Sequence, residues 1–215
     1  WEEIREELLF FGVQGGKTME IKEKKFTDEL MYLLGLISSD GSLDRKTHAV
    51  IFINKNDSLL NEFKETYSKL FYGRKISRFV NNGGTTYLTV SDPILHVLAE
   101  RLHIKTDPKE LIKLSEMLIA GFIRGFFDGD GYCGITKTKH SFDAKVILST
   151  VEEKLAKRLR LMLQRLGIAC FGVGRTDRFD LIISSNKIKS RECIWRPVEN
   201  PCSREKYPIN LLLGQ

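Results

Sequence analysis

The chain has 215 residues, of which 42% are hydrophobic and 29% are charged. This apolar content can form a substantial core and excludes an intrinsically disordered chain, while the formal net charge of +6 favours a polyanionic partner. The four cysteines form no CxxC pair and have no histidine at ligand spacing, which argues against a zinc site or a disulfide framework. We expect an intracellular protein without a membrane span, because no apolar run reaches the roughly 20 residues that a bilayer requires.

Residues 1–26 are read as an N-terminal extension that contains an amphipathic helical stretch, and its function cannot be read from the sequence. From Thr27 onward the order of elements repeats at about 90 residues. The repeat predicts two units, residues 27–107 and residues 108–215.

The first unit is predicted to open with an apolar helix capped by Thr27 or Asp28. Two strands follow near 42–46 and 49–54, then a helix over 57–71 with one apolar face. A hairpin with strands near 75–80 and 85–91 precedes a helix that Asp92 caps.

The second unit repeats this order, beginning with a second apolar helix. Its strands are predicted near 132–138 and 144–149, its next helix over 151–166, and its second hairpin near 170–175 and 178–184. Residues 186–195 are predicted as a short final helix, after which the chain is irregular.

The two apolar helices carry the same signature. Residues 30–41 read LMYLLGLISSDG, and residues 118–131 read LIAGFIRGFFDGDG, so that Asp40 and Asp130 lie 90 positions apart. A helix this short and this apolar must be buried in protein, and the glycines at helical spacing allow two backbones to approach. Parallel packing of the two helices would gather both carboxylates at negative helix ends, which favours a divalent cation there.

Residues 33–41 (LLGLISSDG) and residues 123–131 (IRGFFDGDG) resemble the motif of the LAGLIDADG homing endonuclease family. The resemblance covers nearly everything from residue 27 onward. It implies a mixed α+β fold of two pseudo-symmetric αββαββα units, each with a four-stranded antiparallel sheet. Paired motif helices would join the units into a DNA-binding saddle, in a monomer with internal pseudo-twofold symmetry.

The resemblance also implies a metal-dependent endonuclease that makes a staggered double-strand break in DNA. Asp40 and Asp130 would hold Mg²⁺, with Mn²⁺ as a second possibility and Ca²⁺ as a non-productive substitute, and the carbonyl groups of Ser39 and Gly129 would also face the metal. Asp128, the other acid of the second motif, is interpreted as a cap or a solvent-facing residue.

Relatives place a basic or amide residue at the end of the second strand and a lysine after the last helix of each unit. These positions match Asn54, Lys55 and Lys105 in the first unit. The strand end of the second unit has no lysine, and Lys206 or Lys189 is the alternative there. Each lysine could equally be an ordinary solvated surface residue.

One face of each sheet is expected to be open, because helices would cover the other face. The open face is expected to enter the major groove of DNA, which admits a β-ribbon. Strand alternation, strand ends and loops together supply the candidate DNA contacts, which are Ser42, Asp44, Arg45, Lys46, His48, Arg74, Arg78, Thr85, Tyr87, Thr89, Tyr132, Thr136, Lys137, Thr138, Lys139, Lys145, Arg175 and Arg178. The faces of the strand near 75–80 cannot be assigned from its sequence.

The main alternative is a nucleic-acid binder on the same scaffold that does not cleave, such as an RNA maturase or a transcription regulator. Both motif aspartates are present, which favours the nuclease. An unrelated αβ protein with a chance duplication is a third possibility. An endonuclease of this kind would be encoded in an intron or derived from an intein, and we expect no intact self-splicing element because terminal splicing residues are not evident.

Overall fold

The computed structural model describes residues 26–71, 75–137 and 142–184, without the side chains of Thr136, Phe142, Asp143 and Ser184. The N-terminal extension up to residue 25 and the helix predicted at 186–195 lie outside these residues. Within the described ranges, no helix combines the length and apolar composition that a membrane crossing requires.

Helices and strands occur in the order that the sequence predicts, and most of their bounds agree within two residues. A short 3₁₀ helix at Lys109–Lys113 was not predicted. The elements are α1 (Asp28–Asp40), β1 (Gly41–Asp44), β2 (Ala49–Asn54), α2 (Asp57–Leu70), β3 (Ile76–Val80), β4 (Thr86–Ser91), α3 (Pro93–Arg101), α4 (Glu116–Asp130), β5 (Gly131–Lys137), β6 (Phe142–Thr150), α5 (Glu153–Arg165), β7 (Phe171–Gly174) and β8 (Phe179–Ser184).

Local side chains explain several of these boundaries. The Thr27 hydroxyl accepts a hydrogen bond from the Leu30 amide at the start of α1, and the Asp92 carboxylate accepts from two amides at the start of α3. Gly167 adopts a φ of 74° just after α5, a left-handed conformation that glycine takes without steric cost. These caps confirm the predicted element ends.

The strands form two four-stranded antiparallel sheets with the same topology, β1-β2-β4-β3 and β5-β6-β8-β7. The predicted α+β class with repeated sheets is therefore confirmed. By contacts, the chain divides into a first compact unit that ends at Gly129 and a second that begins at Asp130. The sequence repeat counts each motif helix as the start of a unit, whereas the contacts assign nearly all of α4 to the first unit.

Helices α1 and α4 pack against each other in parallel through their backbones. A Cβ on Gly35 would collide with the Phe122 carbonyl, and a Cβ on Gly125 would collide with the Tyr32 carbonyl. Contacts advance together along both helices, from Asp28 beside Gly121 to Ser39 beside Gly129. Glycine at these positions is therefore required by the close approach of two helix backbones.

Polar side chains close the outer edge of this helix pair. The Tyr32 hydroxyl donates to the Asp128 carboxylate at 2.9 Å, and the Arg124 guanidinium pairs with Asp28 at 2.9 Å. The same guanidinium lies over the Tyr32 ring, with its carbon 4.6 Å from the ring centroid. Asp128 is therefore a partner of Tyr32 between the two helices, which corrects the prediction of a cap or solvent-facing acid.

The core of the first unit lies between its sheet and its helices. Phe52 of β2 stacks on Phe63 of α2 with ring centroids 4.7 Å apart, and the stack continues through Tyr67 to Phe71. The Tyr67 hydroxyl donates to the buried Asp92 carboxylate at 2.8 Å, which satisfies both polar groups inside the core. In the second unit, Leu148 and Leu181 of the sheet are buried, as are Leu155 and Leu159 of α5.

We predict that Gly125→Ala destabilises the protein, because the added methyl would meet the backbone of α1, which cannot move aside as a side chain can. The steric cost is expected to lower the free energy of unfolding by about 1–3 kcal/mol. This cost should exceed the stabilisation of about 1 kcal/mol that alanine gains over glycine from its helix propensity. Thermal or urea unfolding measures the change.

Gly83→Ala is the matched control in the same unit, because a Cβ there would lie 3.4 Å from the Asn81 side chain alone. Its effect is expected to stay within about 0.5 kcal/mol. Equal stability losses in the two variants would contradict the close packing of α1 on α4.

Candidate functional site

Asp40 is the last residue of helix α1 and is half-buried. Its carboxylate accepts a hydrogen bond from the Asn54 side-chain amide at 2.6 Å. Burial raises the pKa of the Asp40 carboxyl above its ordinary value, while the Asn54 hydrogen bond and the Lys105 charge act in the opposite direction. Because burial dominates, the ionised carboxylate is destabilised, and an added cation would relieve that cost.

Lys105 provides one positive charge at the same helix end. Its ammonium donates to the carbonyl oxygens of Ser38 at 2.9 Å and Ser39 at 3.0 Å, with the Ile37 oxygen at 3.4 Å. The Ser38 hydroxyl, which is buried, anchors the lysine segment by donating to the Ile104 carbonyl. Lys105 therefore caps the Ser38 and Ser39 carbonyls at the end of the helix, and its charge complements the helix dipole.

Ser39 and Gly129 pack together, and Gly129 also lies beside Asp40. A Cβ on Gly129 would collide with the Ser39 hydroxyl and sit 3.0 Å from an Asp40 carboxylate oxygen. Asp130, the next residue, is exposed and ends α4.

These residues offer the carboxylate and carbonyl oxygens that Mg²⁺ prefers. Among residues 26–71, 75–137 and 142–184, no three His, Cys, Asp or Glu side chains form a group that could hold a metal by themselves. A bound Mg²⁺ would thus depend on a few protein oxygens together with water or phosphate. The donor set fits that requirement, because Mg²⁺ commonly keeps several water ligands.

Two further catalytic candidates are Lys55 and Lys206. Lys55 directly follows Asn54 and is exposed. Lys206 lies outside the described residues. Their predicted roles stay predictions.

Strand register identifies the open face of the first sheet. Thr89 stands opposite Ile51 and Ser77, Ser42 stands opposite Ile51, and Tyr87 stands opposite Ile53 and Phe79. The alternate row, which includes Val50, Phe52, Leu88 and Val90, is buried. The predicted alternation of β4 is therefore confirmed, and Thr85 lies just before this strand.

The faces of β3 are decided by its partner strand. Phe79 lies on the open face, is 65% exposed and contacts the Tyr87 ring. Arg78 stands opposite buried Leu88, on the helix side, and pairs with Asp57 at 3.4 Å. Ser77 and Phe79 were missed because β3 does not alternate clearly in polarity.

The β1–β2 turn holds four candidate DNA contacts. Asp44 accepts hydrogen bonds from the Thr47 hydroxyl and the Lys46 amide, which lower the pKa of its carboxyl group and hold the turn in place. Arg45 is largely exposed and pairs with Glu100 at 2.7 Å, and Lys46 is exposed. His48 has a φ of 50° and its ring contacts the buried His96 ring edge-on.

In the second sheet, Tyr132 stands opposite Ile147, and Lys145 stands opposite Gly134 on the same face. Tyr132 and Lys137 are exposed. Arg175 and Arg178 both pair with Asp180, an acid that the sequence reasoning overlooked. Thr136 has no described side chain, and Arg74, Thr138 and Lys139 lie outside the described residues.

Residues 117–189 match a family model described as a LAGLIDADG-like domain. This segment contains the second motif helix and the sheet after it, while the same topology and a matching helix occur in the first half. The family-model match and the repeated fold support membership of the LAGLIDADG family. Sequence reasoning identified the family correctly from the paired motifs.

Solved LAGLIDADG structures share the fold at low sequence identity. A structure of the homing endonuclease I-DmoI in complex with DNA and Mn has a TM-score of 0.56 at 16% identity, covering 75% of this chain and 92% of that one. Other I-DmoI structures were solved in complex with DNA and Ca, or with target DNA in the presence of Mg. The N-terminal LAGLIDADG domain of WhiA has a TM-score of 0.51 at 19% identity, covering 85% of this chain and 83% of that one.

Curated relatives are longer proteins named for other activities. The chain is 31% identical over 185 residues to an A-type ATP synthase subunit of Methanopyrus kandleri, covering 86% of this chain and 18% of that protein. It is 25% identical over 159 residues to the replication factor C small subunit of Pyrococcus horikoshii, covering 74% of this chain and 17% of that protein. The chain thus spans less than a fifth of the length of these relatives.

We predict that Asp40→Asn raises the midpoint temperature of unfolding of the metal-free protein at pH 8, because the substitution removes a carboxylate whose charged form is destabilised by burial. The gain should shrink as the pH falls through the raised pKa of Asp40, where the wild-type side chain also becomes neutral. Calorimetry in a chelating buffer measures both effects across about pH 4–8, which extends upward from the ordinary pKa of an aspartate.

Asp44→Asn is the matched control with the opposite expected sign. The lowered pKa of Asp44 means that its charge stabilises the fold above the unfolded-state pKa, and this stability is lost as the pH falls through the folded-state pKa. A lower midpoint for Asp40→Asn than for wild type at pH 8 would contradict the assigned cost of the Asp40 charge.

Proposed function

We propose that this protein is a site-specific, divalent-metal-dependent endonuclease that makes a staggered double-strand break in a long DNA target. We further propose that it acts inside the cell as a monomer. The observation that supports this most is the parallel α1–α4 pair, in which Asp40 and Ser39 pack against Gly129, the residue before Asp130. This contact supports the proposal because Gly129, whose carbonyl is a candidate metal ligand, packs beside the Asp40 carboxylate.

Asp40 and Asp130, together with the Gly129 carbonyl, would hold the metal, and the Ser39 carbonyl would add its second lone pair, since the first accepts from Lys105. A bound Mg²⁺ supplies charge stabilisation for the phosphate and activates water for hydrolysis. Asn54 fixes the orientation of the Asp40 carboxylate through its 2.6 Å hydrogen bond. Lys105 holds positive charge at the end of α1, where negative charge accumulates when phosphate approaches.

DNA recognition is assigned to the open faces of the two sheets. The first offers hydroxyl and aromatic groups, including Ser42, Thr89 and Tyr87, and the second offers Tyr132 and Lys145. A pair of β-strands fits the major groove, where base edges present a full pattern of donors and acceptors. The net charge of +6 supports binding to the phosphate backbone.

The relatives support an origin as a mobile insertion. An ATP synthase subunit and a replication factor subunit have unrelated functions, yet each contains one segment similar to this chain. A self-contained endonuclease inserted within host proteins, as in an intein, accounts for that distribution better than a shared host function does. Sequencing the DNA on both sides of the coding region tests this origin. The absence of host-protein coding sequence on either side would contradict it.

A second candidate function is nucleic-acid binding without cleavage. The open sheet faces and the net charge of +6 support nucleic-acid binding whether or not cleavage follows. Cleavage is favoured here because a pure binder has no evident use for an acid such as Asp40, whose ionised form is destabilised by burial.

Incubation with a randomised duplex library distinguishes the two functions. The nuclease is expected to cut a subset of duplexes with Mg²⁺ or Mn²⁺, and to enrich the same subset without cutting when Ca²⁺ replaces them. Sequencing the cut ends and the retained duplexes provides the readout. Enrichment with no cut ends under any of the three ions would favour the binder.

Asp40→Asn and Asp130→Asn are each expected to lower double-strand cleavage of the selected duplex about a hundredfold or more, because each removes a metal ligand. Affinity for the duplex should stay nearly unchanged. Gel-based cleavage and fluorescence-anisotropy binding assays measure the two quantities separately.

Asp128→Asn is the matched control in the second motif. An asparagine oxygen can still accept the hydrogen bond from Tyr32, so cleavage should remain within a few fold of wild type. Cleavage by Asp130→Asn that equals cleavage by Asp128→Asn would remove Asp130 from the proposed mechanism.

A further inference from the structure

A buried carboxylate lies on the open face of the second sheet. Asp180 of β8 is only 2% exposed, although its cross-strand partner Val173 is 36% exposed and Tyr132 on the same face is 62% exposed. An ionised group is rarely buried this completely unless it is paired. What covers Asp180 therefore indicates its role.

Two arginines and one hydroxyl surround this carboxylate. The Arg175 Nε lies 2.6 Å from one carboxylate oxygen, and the Arg178 Nε lies 3.2 Å from the other. The Ser149 hydroxyl donates to the second oxygen at 2.8 Å. The arginine side chains remain 50% and 44% exposed, so each guanidinium is held on one side and accessible to solvent.

The hairpin turn brings the two arginines together. The Arg175 amide donates to the Arg178 carbonyl at 2.8 Å, which closes the turn between β7 and β8. The two guanidinium groups and the carboxylate together carry a charge of about +1, and charge-assisted pairing fixes the arginine side chains before any ligand arrives. Preorganised donors lose less conformational entropy on binding than mobile ones do.

The first sheet has a different group at the corresponding position. Counting from the paired residues Gly41 and Phe52, and from Gly131 and Leu148, places Tyr87 in the first sheet where Asp180 stands in the second. Tyr87 contacts Phe79, so this row is aromatic in the first sheet and charged in the second. The two sheets therefore present different chemistry at matched positions.

We infer that Asp180 is a positioning residue that holds Arg175 and Arg178 as a two-arginine fork for hydrogen-bond acceptors on DNA. This inference rests on the proposed function. The acceptors are phosphate oxygens or the O6 and N7 atoms of guanine, both of which suit guanidinium groups.

Asp180→Asn tests the inference, because it keeps the shape of the side chain while it removes one negative charge. Affinity for the selected duplex is expected to fall about tenfold, the order of one bidentate arginine contact. Electrostatics alone predicts the reverse, since the variant is more positive and should bind DNA more tightly. A loss limited to the selected duplex indicates a guanine contact, whereas a similar loss on a random duplex with a shallower salt dependence indicates phosphate.

Asp177→Asn is the matched control, because Asp177 is an exposed acid on the same turn and the charge change is identical. It should leave affinity unchanged or slightly tighter. Arg175→Ala in the Asp180→Asn background should cause little additional loss, because the two residues act as one unit. Thermal unfolding checks that each variant stays folded.

Unchanged affinity in Asp180→Asn would overturn the positioning role. So would a loss of affinity from Arg175→Ala in that background as large as the loss that Arg175→Ala causes in the otherwise wild-type protein. Neither result would contradict the nuclease proposal. If the wild-type protein selects no duplex from the library, the proposed function fails, and the fork as a DNA contact fails with it.

Discussion

Backbone contact between α1 and α4 is the constraint on which the rest of the first unit depends. Gly35 and Gly125 remove the side chains that would otherwise keep the helices apart, and the flanking leucines and phenylalanines bury the remaining surface. Such close packing admits one register, because a shift along either helix would place a side chain against a backbone. The position of Gly129 beside Asp40 follows directly from that register.

The end of α1 concentrates groups that are unfavourable unless they are compensated. Its last carbonyls lack partners within the helix, and its last residue is an acid whose charge burial disfavours. Lys105 and Asn54 compensate in different ways, the lysine through charge at the carbonyls and the amide through a hydrogen bond to the carboxylate. The Asp40 carboxylate and the last carbonyls of α1 are therefore held in place, and the negative charge of the carboxylate would still be stabilised by a cation. This suits the proposed metal chemistry.

The two sheets share one topology but differ in surface chemistry. Equivalent register positions carry an aromatic pair in the first sheet and an arginine–carboxylate cluster in the second. Burial maintains the common scaffold, because the buried part of each inward row is mainly apolar, with Phe52 and Leu88 in the first sheet and Leu148 and Leu181 in the second. The outward rows are free to diverge, so the halves can present different groups to a ligand without any change in fold.

The sequence by itself determined the α+β class, the order of the elements, the family and the capping roles of Asp92 and Gly167, because these depend on periodicity and on groups within a few residues of each other. It also determined that Gly35 and Gly125 permit a close helix pair. Only the tertiary structure decided that Asp128 bonds Tyr32, that Arg78 faces the helices, that Lys105 caps α1 and that Asp180 holds two arginines. Most of these contacts join positions distant in the chain, and strand register and helix packing bring them together only after the whole core has formed.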